Sequence, residues 1–138
     1  MINSFRGEYA FLSNFYEVPV TWEGLTYKNS EAAFQAAKTL ADRTPFTTMT
    51  PREAKKAGRK VKLRDDWEQI KYNILYEVCY SKFTQNPELK EKLLATGNQW
   101  LEEGNTWGDR IWGTVNGVGQ NMLGKILMLV REDIRKGR

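Results

Sequence analysis

Two clusters in this sequence carry side chains able to do chemistry. The first is Glu31-Ala-Ala-Phe-Gln35-Ala-Ala-Lys38. Seven residues make two helical turns, so a helix here puts the carboxylate and the amine on nearly one face, with Gln35 one turn from the acid. The intervening alanines let a ligand approach closely, although the same spacing also suits an ordinary surface ion pair. The second cluster is Glu103-Gly-Asn-Thr-Trp107-Gly-Asp109-Arg-Ile-Trp112-Gly113. An acid flanked by tryptophans in a glycine-rich loop is partly desolvated, which shifts its pKa toward catalytic use. The chemistry has to come from such groups because the chain contains no histidine. That absence removes Ser-His-Asp and Cys-His mechanisms, HExxH zinc sites and every imidazole base. A single cysteine, Cys79, excludes intrachain disulfides and multi-cysteine zinc frameworks. No metal or cofactor is expected.

The second cluster lies in an unusual stretch. Residues 97–124 hold seven of the eleven glycines and three of the five tryptophans, Trp100, Trp107 and Trp112. Glycine lets backbone approach a ligand and tryptophan supplies flat faces, so the composition suits a ring-binding wall. The alternative is an irregular connection tacked to the core by its tryptophans. Two nucleotide motifs fail here. Gly117-Val-Gly119 starts like GxGxxG, but the third glycine comes too late and no βαβ pattern surrounds it. Gly119 to Lys125 fits GxxxxGK, yet Ile126 stands where a magnesium-binding hydroxyl is required. What survives is a glycine-rich entry to a helix N-terminus, which can hold a phosphate.

The elements that must position these residues are mainly helical. Val18–Trp22 and Leu25–Tyr27 flank Glu23-Gly24 and read as a hairpin, with Pro19 confining the first strand to an edge or its own first residues. Asn29 or Ser30 caps a helix over about 31–40. Thr50-Pro-Arg-Glu53 is a capping box with proline at the first helical position, and Gly58 ends that helix. Asp65-Asp-Trp-Glu68 reads as another capping box, opening a long helix whose buried stripe is Ile70, Ile74, Leu75, Val78, Cys79 and Phe83. A helix after Asn86-Pro87 turns Leu89, Leu93 and Leu94 inward, and the last runs over about 121–136. Without repeat or linker, residues 1–138 are expected to form one domain, mainly α with a small N-terminal β-hairpin.

Charge and hydropathy narrow the class further. With 28% charged residues, 41% apolar residues and a mean hydropathy of −0.61, the chain suits an ordinary water-soluble fold and not a disordered one. No signal peptide or membrane span is apparent, so a cytoplasmic location and no membrane partner are expected. The net charge of +4 is uneven. Residues 52–64 hold seven basic side chains and one acid, a local +6 that leaves −2 for the rest. The segment is either a phosphate-facing patch or a solvated basic surface.

These residues carry a resemblance. The chain resembles the YbiA-like, or NADAR, family through Phe11-Leu-Ser-Asn-Phe-Tyr16, Asn29-Ser-Glu-Ala-Ala-Phe-Gln-Ala-Ala-Lys38, Trp67, Lys82-Phe83, Leu94-Ala-Thr-Gly97, the run Glu103 to Gly113, and Gly119-Gln-Asn-Met-Leu-Gly124 onward to Met128. The resemblance implies a small, mainly α-helical N-glycosidase. It implies one of two substrates: ADP-ribose on the exocyclic amine of guanine, free or in nucleic acid, or a ribosylaminopyrimidine phosphate of riboflavin synthesis. In both, ribose C1 bonds an exocyclic nitrogen, and such an aminal can open to an iminium. A lysine attacking C1 would then carry the sugar as a Schiff base, with Lys38 the expected nucleophile and Glu31 or Asp109 shuttling protons. Direct attack by a carboxylate-activated water is the other route. The expected substrate contacts are Arg6, Ser13, Asn14, Gln35, Glu103, Trp107, Trp112, Gly113, Asn121 and Lys125, with Arg6 or Lys125 on phosphate. A non-catalytic ADP-ribose or NAD sensor is the reading from another class.

Overall fold

A computed structural model describes residues 1–138. Its elements are strands β1 (Glu17–Trp22) and β2 (Leu25–Asn29) and helices α1 (Ser30–Ala36), α2 (Pro51–Gly58), α3 (Trp67–Gln85), α4 (Pro87–Ala95) and α5 (Met122–Arg135), with 3-10 turns at Gly7–Leu12 and Thr44–Thr48. The chain is mainly α with one small hairpin, as its sequence implies. Its backbone groups into two compact units, Asn14–Asn86, and Met1–Ser13 with Pro87–Arg138. No helix is long and apolar enough to cross a membrane.

In the unit 14–86, the hairpin turns through Glu23 (φ 47°) and Gly24 (φ 82°), the paired left-handed conformation whose twist matches that of the strands. Pairing is antiparallel and slips between Glu17 and Val20, where Pro19 has no N–H to give the ladder. The outer edge of β1 is closed by α3. Gln85 accepts from the Thr21 N–H at 2.8 Å and donates to its carbonyl at 2.9 Å, a side-chain substitute for a third strand.

Helix α1 follows β2 directly. Asn29 caps it, its Oδ1 accepting from Ala32 N–H at 2.8 Å. All seven of its residues are buried. The helix stops at Ala36, short of the expected 40. Two arginines from later in the chain account for that. Arg43 Nε donates to the carbonyls of Ala36 and Thr39, and Arg64 takes those of Lys38 and Ala37 through its N–H and its guanidinium. With their carbonyls engaged elsewhere, residues 37–39 close in a tighter turn, Lys38 N–H bonding Gln35 at 3.2 Å.

Helix α2 starts with the expected reciprocal box, Thr50 Oγ1 accepting from Glu53 N–H at 3.2 Å and Glu53 accepting from Thr50 N–H at 2.9 Å. The expected box at the start of α3 does not form. Asp65, its expected cap, lies one residue too early: the residue before the helix is Asp66, whose side chain makes no cap bond and pairs with Arg64 at 2.7 Å. The α3 stripe is buried as expected from Ile74 to Phe83, with Ile70 half-exposed and Lys82 added.

In the other unit, Ile2 pairs with the chain around Leu101, donating to Trp100 O at 2.9 Å and accepting from Glu102 N–H at 2.8 Å. Leu89 and Leu93 of α4 and Leu123, Ile126, Leu127, Val130 and Ile134 of α5 are buried, while Leu94 is only partly covered. Arg131, 5% exposed, donates to Thr96 Oγ1 at 2.9 Å, and Arg135 donates to Gly97 O at 2.6 Å, so α5 satisfies the turn that ends α4. Replacing Thr50 by Ala removes one half of the α2 box. The substitution is expected to lower stability by about 1 kcal/mol in urea unfolding, with the folded far-UV spectrum retained.

Candidate functional site

The first cluster forms within the unit 14–86. Asn14 holds the start of α1: its carbonyl accepts from Glu31 N–H at 3.1 Å, and its Oδ1 accepts from Ser30 Oγ at 3.0 Å. An expected substrate contact is therefore also a helix anchor. Glu31 is 7% exposed, and Gln35 Nε2 donates to its Oε1 at 3.1 Å. Lys38 lies just past the helix end, half-buried, and interacts electrostatically with Glu31. Burial pushes its amine below the usual lysine range, Glu31 pulls it back, and Arg59 and Lys55 push it further down. A depressed pKa raises the share of neutral, nucleophilic amine at neutral pH.

The second cluster forms within the unit 1–13 and 87–138. The Glu103 backbone is held at both ends, its N–H donating to Asn121 Oδ1 at 2.9 Å and its carbonyl accepting from Thr114 N–H at 2.9 Å. Asn105 bridges to Asp109, donating to its carbonyl at 2.8 Å and accepting from its N–H at 3.0 Å. The Asp109 carboxylate accepts from Ile111 and Trp112 N–H at 3.0 and 2.9 Å. Gly113 is required where it stands, since a Cβ there would meet the Glu103 carbonyl and come within 2.9 Å of its Cγ. Glu103 Oε2 is buried with no hydrogen-bond partner. Burial, then the Asp109 charge, raises the Glu103 carboxyl from 4.5 to about 7, with Arg6 opposing. Such a group is divided between its two protonation states near neutral pH and can give or take a proton there.

The remaining expected residues divide. Arg6 is exposed yet near enough to act on Glu103. Asn121, 2% exposed and in the left-handed region (φ 53°), spends its amide on Glu103 N–H and on Leu101 O at 2.9 Å. Ser13 closes the Gly7–Leu12 turn through its N–H to Ala10 O. Trp112 is half-buried, whereas Trp100 and Trp107 are exposed, at 44% and 57%. Trp100 and Trp107 therefore do not tack this loop down; Leu101, Asn105, Thr114 and Asn121 are among its buried residues. Lys125 is exposed on the first turn of α5. Arg52, Lys56, Arg59, Lys60 and Lys62 of the basic segment are also exposed. No group of three or more Asp, Glu or Cys side chains is placed to hold a metal ion.

The buried stripe of α3 read from the sequence omits Lys82. Lys82 is 1% exposed, and burial lowers its amine to about 8. It lies over the rings of Phe83 at 5.1 Å and Tyr16 at 5.8 Å. Its position, seven residues after Leu75 and three after Cys79, continues the buried stripe of α3, which is the signal that could have found it.

The model of the NADAR domain matches residues 3–135, nearly the whole chain and both units. The chain belongs to the NADAR domain family. Similar proteins include the N-glycosidase YbiA of Escherichia coli, 35% identical over 133 residues, which covers 92% of this NADAR chain and 82% of that protein. The riboflavin biosynthesis protein VVA0006 of Vibrio vulnificus is 34% identical over 134 residues, and this chain covers 93% of itself but only 36% of that longer protein. Among solved structures, the NMR structure of E. coli YbiA aligns with a TM-score of 0.85 at 33% identity, covering 99% of this chain and 88% of that one. The similar proteins named for an activity are N-glycosidases, and this NADAR chain is grouped with enzymes of that class.

The raised Glu103 carboxyl makes a linkage prediction for the NADAR chain. The folded state binds the proton more tightly than the unfolded state, so the contribution is complete below pH 4.5 and is lost as pH rises to about 7. Glu103→Gln is expected to flatten that decline, on the order of 2 kcal/mol, in urea titrations across the range. An unchanged slope would contradict the assignment.

Proposed function

We propose that this chain hydrolyses the bond between ribose C1 and the exocyclic amine of a base, with Lys38 as the nucleophile. The observation that carries the reading is a half-buried amine, depressed in pKa, interacting with a buried carboxylate one short helix away. The names of the relatives support the coarser activity, an N-glycosidase.

The steps balance without metal or redox help. Protonation of the ribose ring oxygen lets the exocyclic nitrogen lone pair open the ring, leaving a C1=N iminium. The neutral Lys38 amine adds at C1 and passes a proton to the base nitrogen. The base leaves as its amine, and the sugar stays on Lys38 as an iminium. Water adds, Lys38 departs, and the ring closes to the free sugar. Glu31 is the proton carrier for Lys38. Glu103, with a proton near neutrality, and Asp109 are the acid and base candidates of their own loop.

For the substrate, the preferred reading is ADP-ribose attached to guanine in nucleic acid. Arg59 and Lys55 both act on Lys38, so the basic segment borders the reactive amine, and five exposed cations exceed what one nucleotide requires. The second reading, a ribosylaminopyrimidine phosphate, is favoured by the name of the Vibrio relative. Release of sugar from each substrate, followed against salt, separates them. Cleavage of modified DNA should weaken steeply with ionic strength if several phosphates are engaged, and only slightly if a lone nucleotide is the substrate. Turnover of neither would leave the sensor reading.

Lys38→Ala is expected to lower turnover about 10²-fold or more, and borohydride to trap one sugar on the wild type but none on the variant. Near-normal turnover by Lys38→Ala, or no trapped adduct, would sink the covalent route in favour of direct water attack.

A further inference from the structure

We infer that Gln35 is a positioning residue for Glu31 and not a contact for substrate, and that Gly58 of α2 sets its orientation. The inference rests on the reading of Glu31 as the proton carrier of Lys38. Gln35 is 6% exposed, which leaves its amide little access to a ligand. One end of that amide is committed: Nε2 donates to Glu31 Oε1 at 3.1 Å. The other end, Oε1, is buried without a hydrogen-bond partner. A buried carbonyl left unpaired opposes folding, so the amide orientation has to be set by the groups on either side.

Both sides are visible. The NH₂ end faces Glu31, whose Oε1 accepts from it, as a carboxylate oxygen can. On the other side stands Gly58, where an added Cβ would overlap Gln35 Oε1 and approach its Cδ at 2.8 Å. Only glycine at this point of α2 leaves the amide its place. The side chain is thus wedged between a carboxylate and a helix backbone, with its donor aimed at the acid. A donor held there favours the charged form of Glu31 and restricts its rotamer, the two properties required of a proton acceptor.

Other charges around α1 are common to wild type and variants. Lys38 stands at the end of the same helix and interacts with Glu31, while Arg59 and Lys55 of α2 act on Lys38. Lys82 of α3 is buried, and Tyr27 of β2 is under the charges of Arg43 and Glu23. None of these is altered by changing Gln35 or Gly58.

The test uses the full chain, with Gln35→Leu, which keeps the bulk and removes the donor, and Gly58→Ala, which disturbs the amide while leaving every residue of α1 unchanged. Carboxyl carbon NMR of the ligand-free protein follows the titration of Glu31. The expected result is a move to higher pH of about one unit in Gln35→Leu, and a smaller move the same way in Gly58→Ala. In turnover, kcat should fall about tenfold with KM within twofold, and the acid limb of the kcat profile should move with the NMR titration. An unmoved Glu31 titration in both variants overturns the inference and leaves Gln35 a packing residue. A raised KM with an unmoved acid limb overturns it in favour of substrate contact. Because the NMR titration needs no substrate, a failure of the proposed activity is read separately. If Gln35→Leu does not fold, Gly58→Ala alone decides through the same titration.

Discussion

A seven-residue helix with no side facing water has to be held from every direction, and α1 is held that way. Helices this short do not persist by propensity alone. Its first turn is satisfied by Asn29 and Asn14, its last carbonyls by Arg43 and Arg64, and its alanines let neighbouring elements come close. Glu31 and Gln35 are carried into the interior with it. Within the unit 14–86, hairpin, α2 and α3 all answer the same demand, the burial of this polar segment.

Burial also supplies what the composition withholds. The chain has no imidazole, the side chain that ordinarily titrates near neutrality. Desolvation disfavours the charged form of any group, so it lowers an amine and raises a carboxyl. Lys38 moves down and Glu103 moves up to about 7, each chiefly because water is excluded. One physical cause with opposite signs brings both toward the pH range where proton transfer is useful. Lys82, at about 8, obeys the same rule without access to solvent, so a shifted pKa by itself does not mark a reactive group.

Local signals are legible in the sequence and distant ones are not. The Glu23-Gly24 turn, the Thr50 box and the apolar period of α5 depend on neighbours a few residues away, and all appear in the structure. The end of α1 depends on Arg43 and Arg64, and no pattern within residues 30–40 announces them. The same Arg64 pairs with the carboxylate of Asp66, which stands before α3 where Asp65 was the expected cap. Among site residues, Glu31, Lys38, Glu103 and Asp109 stand out by type and spacing. Polar neighbours such as Asn14, Asn121 and Gln35 look alike in a sequence whether they face a ligand or the backbone. Their bonds to Ser30, Leu101 and Glu31 are made within the fold, and those are tertiary facts.

The alanines of α1 have a consequence for how this protein can change over generations. Ala32, Ala33, Ala36 and Ala37 are fully buried, and any larger side chain at those positions would have to displace a neighbouring element. Substitution there is closed off by volume, independently of any catalytic demand on Glu31 or Lys38. The exposed loop bearing Trp107, Ile111 and Val118 carries no such restriction at those three side chains. Sequence change is therefore channelled into such exposed positions, while α1, which carries Glu31, is held constant by its packing.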